Sequence, residues 1–385
     1  MNASKPRILH VIDHSDSGGC QSQLAIRLAD LKDRYEFSVA VLGRKGDFTL
    51  QYQQLGFSVF ELGGGRNRWN PGVFIPLIKL VRREKPDIIH AHLLKSMLLS
   101  PLVARLTGTA SIITDDTGIN QQTLAFYFPD TIVRLFLTWA LHLVVILSDK
   151  IVVLTNSNKN DYLQEFNIPE SKVEILPNSI DSDPPPGMVE KVDLRRELEL
   201  SSEAKVILMV GRLASEKDWP TFLEVAEKFP DAERYAFIVV GSGYLKASLQ
   251  ETALKKGLTN LHFLGERKDV PVLLSQADAF LLTSRQEAFG IVILEAMAAG
   301  CPVIASRTPG ANSIIEHGHN GLLVEMEDVD GFVSSLEEIL ADPLLADNLV
   351  HNARLSLAQF TPEKITTKLA NLYTMVLKNR RQVKP

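Results

Sequence analysis

The feature that most constrains the fold is a regular alternation of short apolar segments with longer helix-forming ones. Segments such as RILHVID (7–13), DIIHAH (87–92) and KIVVLTNS (150–157) are apolar runs of strand length. Helix-forming segments stand between such runs, for example the amphipathic QSQLAIRLADLKD (21–33). Strands that alternate with helices form parallel sheets covered on both faces. The pattern therefore predicts a doubly wound α/β fold.

A proline cluster near mid-chain, SDPPPG (182–187), divides this alternation into two sets. The strand and helix pattern restarts after it with AKVILMVG (204–211). A chain of 385 residues is long enough for two domains, each with its own core. We therefore predict two doubly wound domains, 1–180 and 181–360, that face each other across a cleft. The remaining segment, 361–385, is predicted to form a helix that packs back on the first domain.

The stretch SRQEAFGIVILEAMAAG (284–300) places two glutamates in apolar surroundings. An apolar strand precedes it, and IVILEAMAAG is helix-forming and stops at Gly300. Glu287 therefore lies on the loop at the carboxyl end of a strand, and Glu295 lies about one turn into the following helix. Both glutamates are expected to face the crevice where open parallel sheets bind ligands.

Loops at other strand ends carry glycines and cations. In HSDSGGCQ, Gly18 and Gly19 either let helix amides approach an anion or a sugar, or simply form a tight turn. In GRLASEKDW, Arg212 and Lys217 either clamp a diphosphate or are ordinary solvated side chains. Two further strand-end loops contain the glycines Gly241 and Gly310.

Composition excludes some functions. Residues 1–178 hold 19 Lys and Arg against 17 Asp and Glu, whereas the rest hold 22 against 29. This distribution has no strongly basic region, so nucleic acid is not an expected partner. Cys20 and Cys301 are predicted to be reduced thiols, and the first 13 residues lack the apolar region of a signal peptide. We therefore expect a cytoplasmic protein.

Several fragments together resemble retaining glycosyltransferases of family 4, also called glycosyl transferases group 1. The fragments are SGG before an amphipathic helix, KPDIIHAH, KVEILPNSID, VGRLASEK and ADAFLLTSRQEAFGIVILEAMAAGCPVIAS. They follow the family's order and spacing over nearly the whole chain. The resemblance implies the GT-B architecture of two Rossmann-like domains, and a hexosyltransferase-type enzyme that moves a sugar from a nucleoside diphosphate to a hydroxyl. It implies no cofactor and no metal.

The resemblance also implies roles for individual residues. Arg212 and Lys217 match the family's pair of cations that bind the leaving diphosphate. Glu295 matches the glutamate that accepts hydrogen bonds from the ribose, and Glu287 the one near the reacting carbon of the donor sugar. The backbone amides of three residues at a helix start add donors: Phe289, Gly290 and Ile291. The remaining donor-binding positions are Gly18, Gly19, Gly211, Gly241, Phe263 and Arg267. A UDP-sugar is the favoured donor.

The chain also departs from the family pattern. Asp116, in TDDTG, stands where members usually have an acceptor-side histidine, and we assign it a catalytic role through a hydrogen bond to a sugar hydroxyl. The missing histidine motivates one alternative, a nucleotide-sugar-binding module that has lost its activity. A nucleotide-sugar epimerase of the same architecture is a second alternative, against which the transferase-type motifs around Glu287 and Glu295 argue. His90 and His92 point to one face of a strand, either as packed or as functional side chains, without a third ligand that would indicate a metal.

The segment LAFYFPDTIVRLFLTWALHLVVIL (124–147) is unusually apolar for a surface helix, yet it has no uninterrupted apolar run long enough to span a membrane. It is interpreted either as a buried helix or as part of a peripheral contact with the inner face of an anionic membrane. A glycan or a lipid-linked saccharide is the expected acceptor. The basic and aromatic residues that would support the membrane contact are Arg66, Arg68, Trp69, Phe74, Lys79, Arg82 and Arg83.

Overall fold

A computed structural model describes residues 4–16, 18–63, 71–181 and 193–383. The chain divides into two compact units. The first consists of Met1–Ser179 together with Pro362–Pro385, and the second is Ile180–Thr361. Arg66, Arg68 and Trp69 lie outside the described residues, as does the proline cluster 182–187.

The first unit is built on a parallel sheet of seven strands, with the order β3-β2-β1-β4-β5-β6-β7. Its strands are β1 (Arg7–Ile12), β2 (Glu36–Val41), β3 (Ser58–Glu61), β4 (Ile88–His92), β5 (Ala110–Asp115), β6 (Lys150–Val153) and β7 (Val173–Ile175). The central strands are buried from end to end, because helices cover both faces of the sheet.

The helices of the first unit stand between its strands. They are α1 (Gly19–Leu31), α2 (Asp47–Gln54), α3 (Phe74–Glu84), α4 (Leu94–Thr107), α5 (Gln121–Tyr127), α6 (Thr131–Leu147) and α7 (Asn156–Phe166). Helices α3, α4 and α6 cover one face of the sheet, with α4 in contact with the other two. Helix α1 covers the opposite face.

The second unit repeats this plan with a six-stranded parallel sheet of order β10-β9-β8-β11-β12-β13. Its strands are β8 (Lys205–Val210), β9 (Tyr235–Val240), β10 (Leu261–Gly265), β11 (Ala279–Leu282), β12 (Val303–Ser306) and β13 (Leu322–Val324). Its helices are α8 (Leu194–Glu197), α9 (Trp219–Glu227), α10 (Lys246–Lys255), α11 (Val270–Ser275), α12 (Ile291–Ala299), α13 (Pro309–Ile314), α14 (Val329–Ala341) and α15 (Pro343–Ser356).

The last helix, α16 (Pro362–Val383), belongs to the first unit and packs beside α1. Its residues Ile365, Leu369 and Tyr373 are buried in the same core as Leu24 and Leu28 of α1. Short 3-10 turns lie at Pro71–Val73, Glu170–Lys172, Ser215–Lys217 and Leu357–Gln359.

Each sheet has one point where the strand order reverses, between β1 and β4 in the first unit and between β8 and β11 in the second. Loops at the carboxyl ends of adjacent strands diverge at such a point, and the crevice they leave is the usual ligand site of open α/β sheets. The prediction of two doubly wound α/β domains is confirmed.

The interpretation of 124–147 as one buried helix is wrong, because the segment comprises the end of α5 and the whole of α6, and one side of α6 is exposed. The helical conformation is interrupted after α5. Asp130 then caps α6 by accepting hydrogen bonds from the amides of Ile132 (2.8 Å) and Val133 (3.1 Å). Only one side of α6 enters the core, through Leu137, Leu141, Val144 and Val145. Within the described residues, no helix is both long enough and apolar enough to cross a membrane.

Candidate functional site

Three loops of the second unit meet where its strand order reverses. They follow β8, β9 and β11, and backbone hydrogen bonds connect the loop after β8 to each of the other two. The amide of Leu213 donates to the carbonyl of Ser242 (2.9 Å), and the amide of Arg285 donates to the carbonyl of Glu216 (2.9 Å). The Thr283 hydroxyl adds a bond to the carbonyl of Asp218 (3.0 Å). The loop that carries Arg212 and Lys217 is therefore held by both of its neighbours.

Gly241 is required by the close approach of two of these loops. Its φ is +136°, and a Cβ at this position would lie 1.9 Å from the carbonyl oxygen of Gly211. A side chain would thus force the loops after β8 and β9 apart. Gly211 itself lies beside the aliphatic part of Lys217, at a distance where even a Cβ would make only an ordinary contact of 3.5 Å.

Lys217 and Glu287 come from different loops and form an ion pair, Nζ to Oε2. Both side chains are largely buried, with exposed fractions of 16% and 14%. The Ser284 hydroxyl lies 3.5 Å from the same carboxylate oxygen. Lys217 and Glu287, to which the family resemblance gives roles at the diphosphate and at the reacting carbon, are thus direct neighbours.

Arg212 is arranged differently from Lys217. Its side chain is 69% exposed, and its Nε donates to Oε1 of the buried Glu216 at 3.1 Å. The indole of Trp219 fixes the backbone at this point, because its Nε1 donates to the carbonyl of Arg212 (2.9 Å). The guanidinium therefore has one anchored edge while the rest of it faces solvent.

Glu295 lies midway along α12, and its half-buried side chain has no hydrogen bond or ion pair within the described chain. Burial raises its pKa. A carboxylate that is shielded from water and has no partner is costly, which is typical of a group whose partner is a ligand.

The start of α12 offers backbone donors beside Glu287. Gly290 precedes the helix with φ +91°, and the amides of Phe289, Gly290 and Ile291 donate to no group of the described residues. Gly310 holds this loop from the other side: its amide donates to the carbonyl of Glu287 (2.9 Å), and a Cβ there would lie 2.6 Å from the same oxygen. The backbone of Gly310 therefore packs closely against the loop that precedes α12 and restricts its position.

Phe263 and Arg267 lie at the edge of the same sheet. Phe263 is half-buried on β10, the edge strand. The Arg267 guanidinium is bound on both sides, by Asp269 (Nε to Oδ1, 2.8 Å) and by Glu197 (Nη2 to Oε2, 3.1 Å). These two carboxylates raise its pKa further. Because its donors are already in use, Arg267 has little left with which to bind a base or a phosphate.

In the first unit, the glycine pair lies at the start of α1. Gly18 is the residue before the helix and Gly19 is its first residue. A Cβ on Gly18 would lie 2.7 Å from the amide oxygen of Gln21, so the backbone here is closely covered by its own helix. Asp13, at the end of β1, accepts from the amides of Lys95 (2.9 Å) and Ser96 (2.6 Å) and so caps α4.

Asp116 follows β5 and is surrounded by polar side chains. Its Oδ2 accepts a hydrogen bond from the thiol of Cys20 (Sγ to Oδ2, 3.2 Å) and lies 3.4 Å from Nδ1 of His92. Burial, followed by the charge of Asp116, raises the pKa of the Cys20 thiol well above its usual value. The other carboxylate oxygen has no partner among the described residues.

Several residues of these sites were not found from the sequence. Glu216 is one, although opposite charges spaced i,i+4 with Arg212 were a usable signal. His10 and Tyr373, which contact the histidines of β4, gave no local signal because they lie at opposite ends of the chain.

Family models match most of the chain. The model described as Glycosyltransferase Family 4 matches residues 22–184, and the one described as Glycosyl transferases group 1 matches residues 190–356. The chain is also 30% identical, over 322 residues, to a UDP-Gal:alpha-D-GlcNAc-diphosphoundecaprenol alpha-1,3-galactosyltransferase of Escherichia coli, covering 80% of each protein.

Solved structures show the same fold. The chain is similar to Anabaena HepE in complex with UDP-glucose, with a TM-score of 0.80 at 20% identity, covering 96% of this chain and 99% of that one. It is also similar to sucrose-phosphate synthase of Thermosynechococcus elongatus, with a TM-score of 0.81 at 18% identity, covering 97% and 100%. Together with the two Rossmann-like units, these matches confirm the GT-B fold. The chain is a glycosyltransferase that belongs to glycosyltransferase family 4.

Proposed function

We propose that this enzyme transfers a sugar from a nucleoside diphosphate to an acceptor hydroxyl with retention of the anomeric configuration. The bond between the anomeric carbon and the diphosphate breaks, and its electron pair leaves with the diphosphate. The acceptor oxygen bonds to the anomeric carbon on the same face, and its proton passes to the departing diphosphate oxygen. No cofactor or metal takes part in this scheme.

The pairing of Lys217 with Glu287 is the observation that carries the proposal. The positive charge of Lys217 can stabilise the leaving diphosphate, and the negative charge of Glu287 can stabilise the positive charge that develops on the sugar. Both side chains are shielded from water, where such interactions are stronger than in solvent. The free amides at the start of α12 add donors for the diphosphate. Arg212 supplies a second cation, and Glu295 accepts from the ribose hydroxyls.

A UDP-sugar is the proposed donor, and a saccharide, free or lipid-linked, the proposed acceptor. The E. coli relative is named for a UDP-galactose donor and a diphosphoundecaprenol-linked acceptor, and the HepE structure contains UDP-glucose. Phe263, at the edge of the sheet, provides a flat apolar surface for the base. Asp116 is proposed to bind the acceptor hydroxyl through its unpartnered carboxylate oxygen.

The decisive experiment incubates the purified enzyme with UDP-, GDP- and ADP-sugars, each with saccharide and polyprenyl-diphosphate-linked acceptors. Nucleotide release and the anomeric proton coupling of the product are measured. Release that depends on the acceptor, with an unchanged anomeric configuration, supports the proposal. An inverted product contradicts retention. Binding without turnover would indicate a lapsed module, and a changed sugar without nucleotide release would indicate an epimerase.

We further propose that α6 rests on an anionic membrane at its cytoplasmic face. Its outward side is a continuous apolar stripe, with exposed fractions of 60% to 80% at most positions. The stripe consists of Ile132, Leu135, Phe136, Trp139, Leu143 and Ile146. Scattered apolar residues are normal on a surface, but a contiguous row along one helix indicates a binding face. An aromatic residue among aliphatic ones is typical of helices that lie in the membrane interface.

Positive charge on the same face of the sheet favours a lipid surface over a protein partner. Helices α3 and α6 both contact α4, so they flank it on one side of the sheet. Lys79, Arg82 and Arg83 are exposed on α3, and Phe74 is half-buried at its start. Basic residues near an apolar surface add attraction to anionic headgroups.

Vesicle flotation tests the membrane contact. The double variant Phe136→Glu/Trp139→Glu should lose most of its binding to vesicles of phosphatidylglycerol, while keeping turnover on a water-soluble acceptor. Leu254→Glu, on α10 at 82% exposure, is the matched control and should float like the wild type. Raised salt should weaken binding, because screening reduces the basic contribution. Equal flotation of the double variant and the control would contradict the proposal.

A further inference from the structure

Three histidines are buried together in the first unit. His10 on β1 pairs with His90 on the neighbouring β4, and His92 follows two residues later on the same face. All three side chains are 0–1% exposed. The rings of His90 and His92 are stacked with their centroids 4.5 Å apart. Tyr373 of α16, also fully buried, packs against His10 and His90.

These side chains form one continuous chain of polar contacts. Nδ1 of His10 lies 3.0 Å from Nε2 of His92, and Nε2 of His10 lies 3.3 Å from the Tyr373 hydroxyl. The same hydroxyl lies 2.8 Å from Nδ1 of His90, whose Nε2 lies 2.6 Å from the Thr114 hydroxyl. Five of the six ring nitrogens thus have a side-chain partner within hydrogen-bond distance.

The sixth nitrogen, Nδ1 of His92, faces Asp116. It is buried, lies 3.4 Å from Oδ2, and has no hydrogen-bond partner of normal geometry in the described chain. The contact is favourable only if this nitrogen carries a proton, since a lone pair would repel the carboxylate oxygen. The buried guanidinium of Arg27, on α1, is attracted by the charge of Asp116 and offsets it.

His10 and His90 are held neutral by burial, so each has a single N–H to place. Burial, followed by the neighbouring His92, holds the pKa of both His10 and His90 well below the usual value. If Nδ1 of His92 carries the hydrogen, its Nε2 must accept from Nδ1 of His10. Nε2 of His10 must then accept from the Tyr373 hydroxyl.

The remaining links follow in the same way. The Tyr373 oxygen, having donated its hydrogen, accepts from Nδ1 of His90, and Nε2 of His90 accepts from Thr114. Every hydrogen is used once, and all three imidazoles are in the Nδ1–H tautomer. For a His92 with one N–H, the opposite direction would leave a lone pair of His92 against Asp116.

We propose that Tyr373 is a positioning residue for Asp116: it fixes the tautomers of the buried histidines so that His92 presents an N–H to the carboxylate. This inference rests on the proposed acceptor role of Asp116. The N–H of His92 and the thiol of Cys20 engage Oδ2, which orients Oδ1 toward the acceptor hydroxyl. The C-terminal helix thereby becomes part of the acceptor site without touching the acceptor.

The test reads the tautomers directly. The full-length enzyme is labelled with ¹⁵N-histidine, and long-range proton–nitrogen spectra are assigned with single His→Gln variants. In the wild type, His10, His90 and His92 should all show a protonated Nδ1. Tyr373→Phe removes only the hydroxyl, so His10 and His92 should shift toward Nε2–H. Its kcat should fall about 10-fold, or roughly 1.4 kcal/mol, with little change in the donor KM.

Tyr35→Phe is the matched control. The Tyr35 hydroxyl is also buried and donates to α16, at the carbonyl of Ala370 (3.1 Å), but it lies outside the chain of histidines. The control should keep wild-type tautomers and turnover, so an equal loss in both variants would indicate a purely structural effect and overturn the inference.

Other outcomes separate this inference from the proposed function. Unchanged tautomers in Tyr373→Phe, or a proton on Nε2 of His92 in the wild type, overturn it. Stoichiometric zinc in the purified protein would also overturn it, because Cys20, His92 and Asp116 would then be metal ligands. If Asp116→Asn keeps full turnover, the acceptor role fails instead. Shifted tautomers with unchanged turnover, while Asp116→Asn is inactive, would refute the positioning role alone.

Discussion

Lys217 and Glu287 form an ion pair although they lie on loops after two different strands, β8 and β11. Each is largely removed from water, so each would be costly to leave alone. The pair gives the second unit adjacent positive and negative charges at the point where its strand order reverses. Such a pair suits a transfer in which charge separates between a sugar and a diphosphate.

Lys217→Ala should lower kcat by about 100- to 1,000-fold with a much smaller change in the donor KM, because the charge on the leaving diphosphate grows in the transition state. Glu287→Gln should give a loss of the same kind, and the double variant should be little worse than either single one, since the two charges act together. Steady-state kinetics with the best donor measure this. Lys255→Ala, in an exposed pair with Glu251, is the control and should be neutral.

Gly241→Ala should destabilise the second unit and abolish donor binding, since the new methyl group would meet the carbonyl of Gly211. Gly257→Ala is a matched control: its φ is also positive, at +66°, but a Cβ there meets nothing within 4 Å. The control should cost about 1 kcal/mol for backbone strain alone and should keep donor affinity. Thermal unfolding and donor titration compare the two variants, and equal effects would exclude the close approach as the cause.

The sequence was sufficient for the fold and for the strand-end positions of several candidate site residues. The β-α alternation predicted both sheets, and the strand-end position of Glu287 followed from the apolar run before it and the helix after it. Such features are local, because they depend on periodicity and on the residues that start and stop helices. The predicted site residues Lys217, Glu287 and Gly241 do lie on adjoining loops.

Features that depend on distant residues were not predictable. Tyr373 meets His10 across 363 positions, and nothing near either residue in the sequence indicates the contact. The exposure of Trp139 is similar, because an apolar helix can be buried or exposed and only the tertiary packing decides. The hydrogen bonds from Arg267 to Asp269 and Glu197 were likewise not predictable from the sequence. A basic residue at a strand end is equally consistent with a ligand contact.

The buried histidines should make the first unit sensitive to mild acid. The pKa values of His10 and His90 are held below the usual value of about 6.5, so their protonation is favoured in the unfolded chain. The stability contributed by neutral His10 and His90 is present above about pH 6.5 and is lost as the pH falls below it. Two such groups give a slope of up to about 2.7 kcal/mol per pH unit. Hydrogen-exchange protection of β1 and β4, corrected for intrinsic rates, should fall between pH 7 and 5.5; constant protection would contradict this.

Glu295→Gln should make the enzyme more stable and its donor binding weaker. Burial raises the pKa of Glu295, so the fold disfavours the ionised form. The stability associated with the protonated acid is present below the unfolded pKa of about 4.3 and is lost as the pH rises through the folded pKa. Glutamine carries no charge at any pH. The variant should therefore melt about 2–4 °C higher at pH 7.5, which corresponds to about 1 kcal/mol, and this gain should shrink near pH 4.

The same variant should lose donor affinity, because a carboxylate accepts from two ribose hydroxyls more strongly than an amide does. The donor KM should rise about 10-fold, as expected for a charged hydrogen bond, while kcat changes little, since the ribose contacts are equal in the ground and transition states. Glu337→Gln, exposed on α14, is the control and should change neither Tm nor KM. A Glu295→Gln enzyme with normal donor affinity and no turnover would instead place Glu295 beside the reacting carbon.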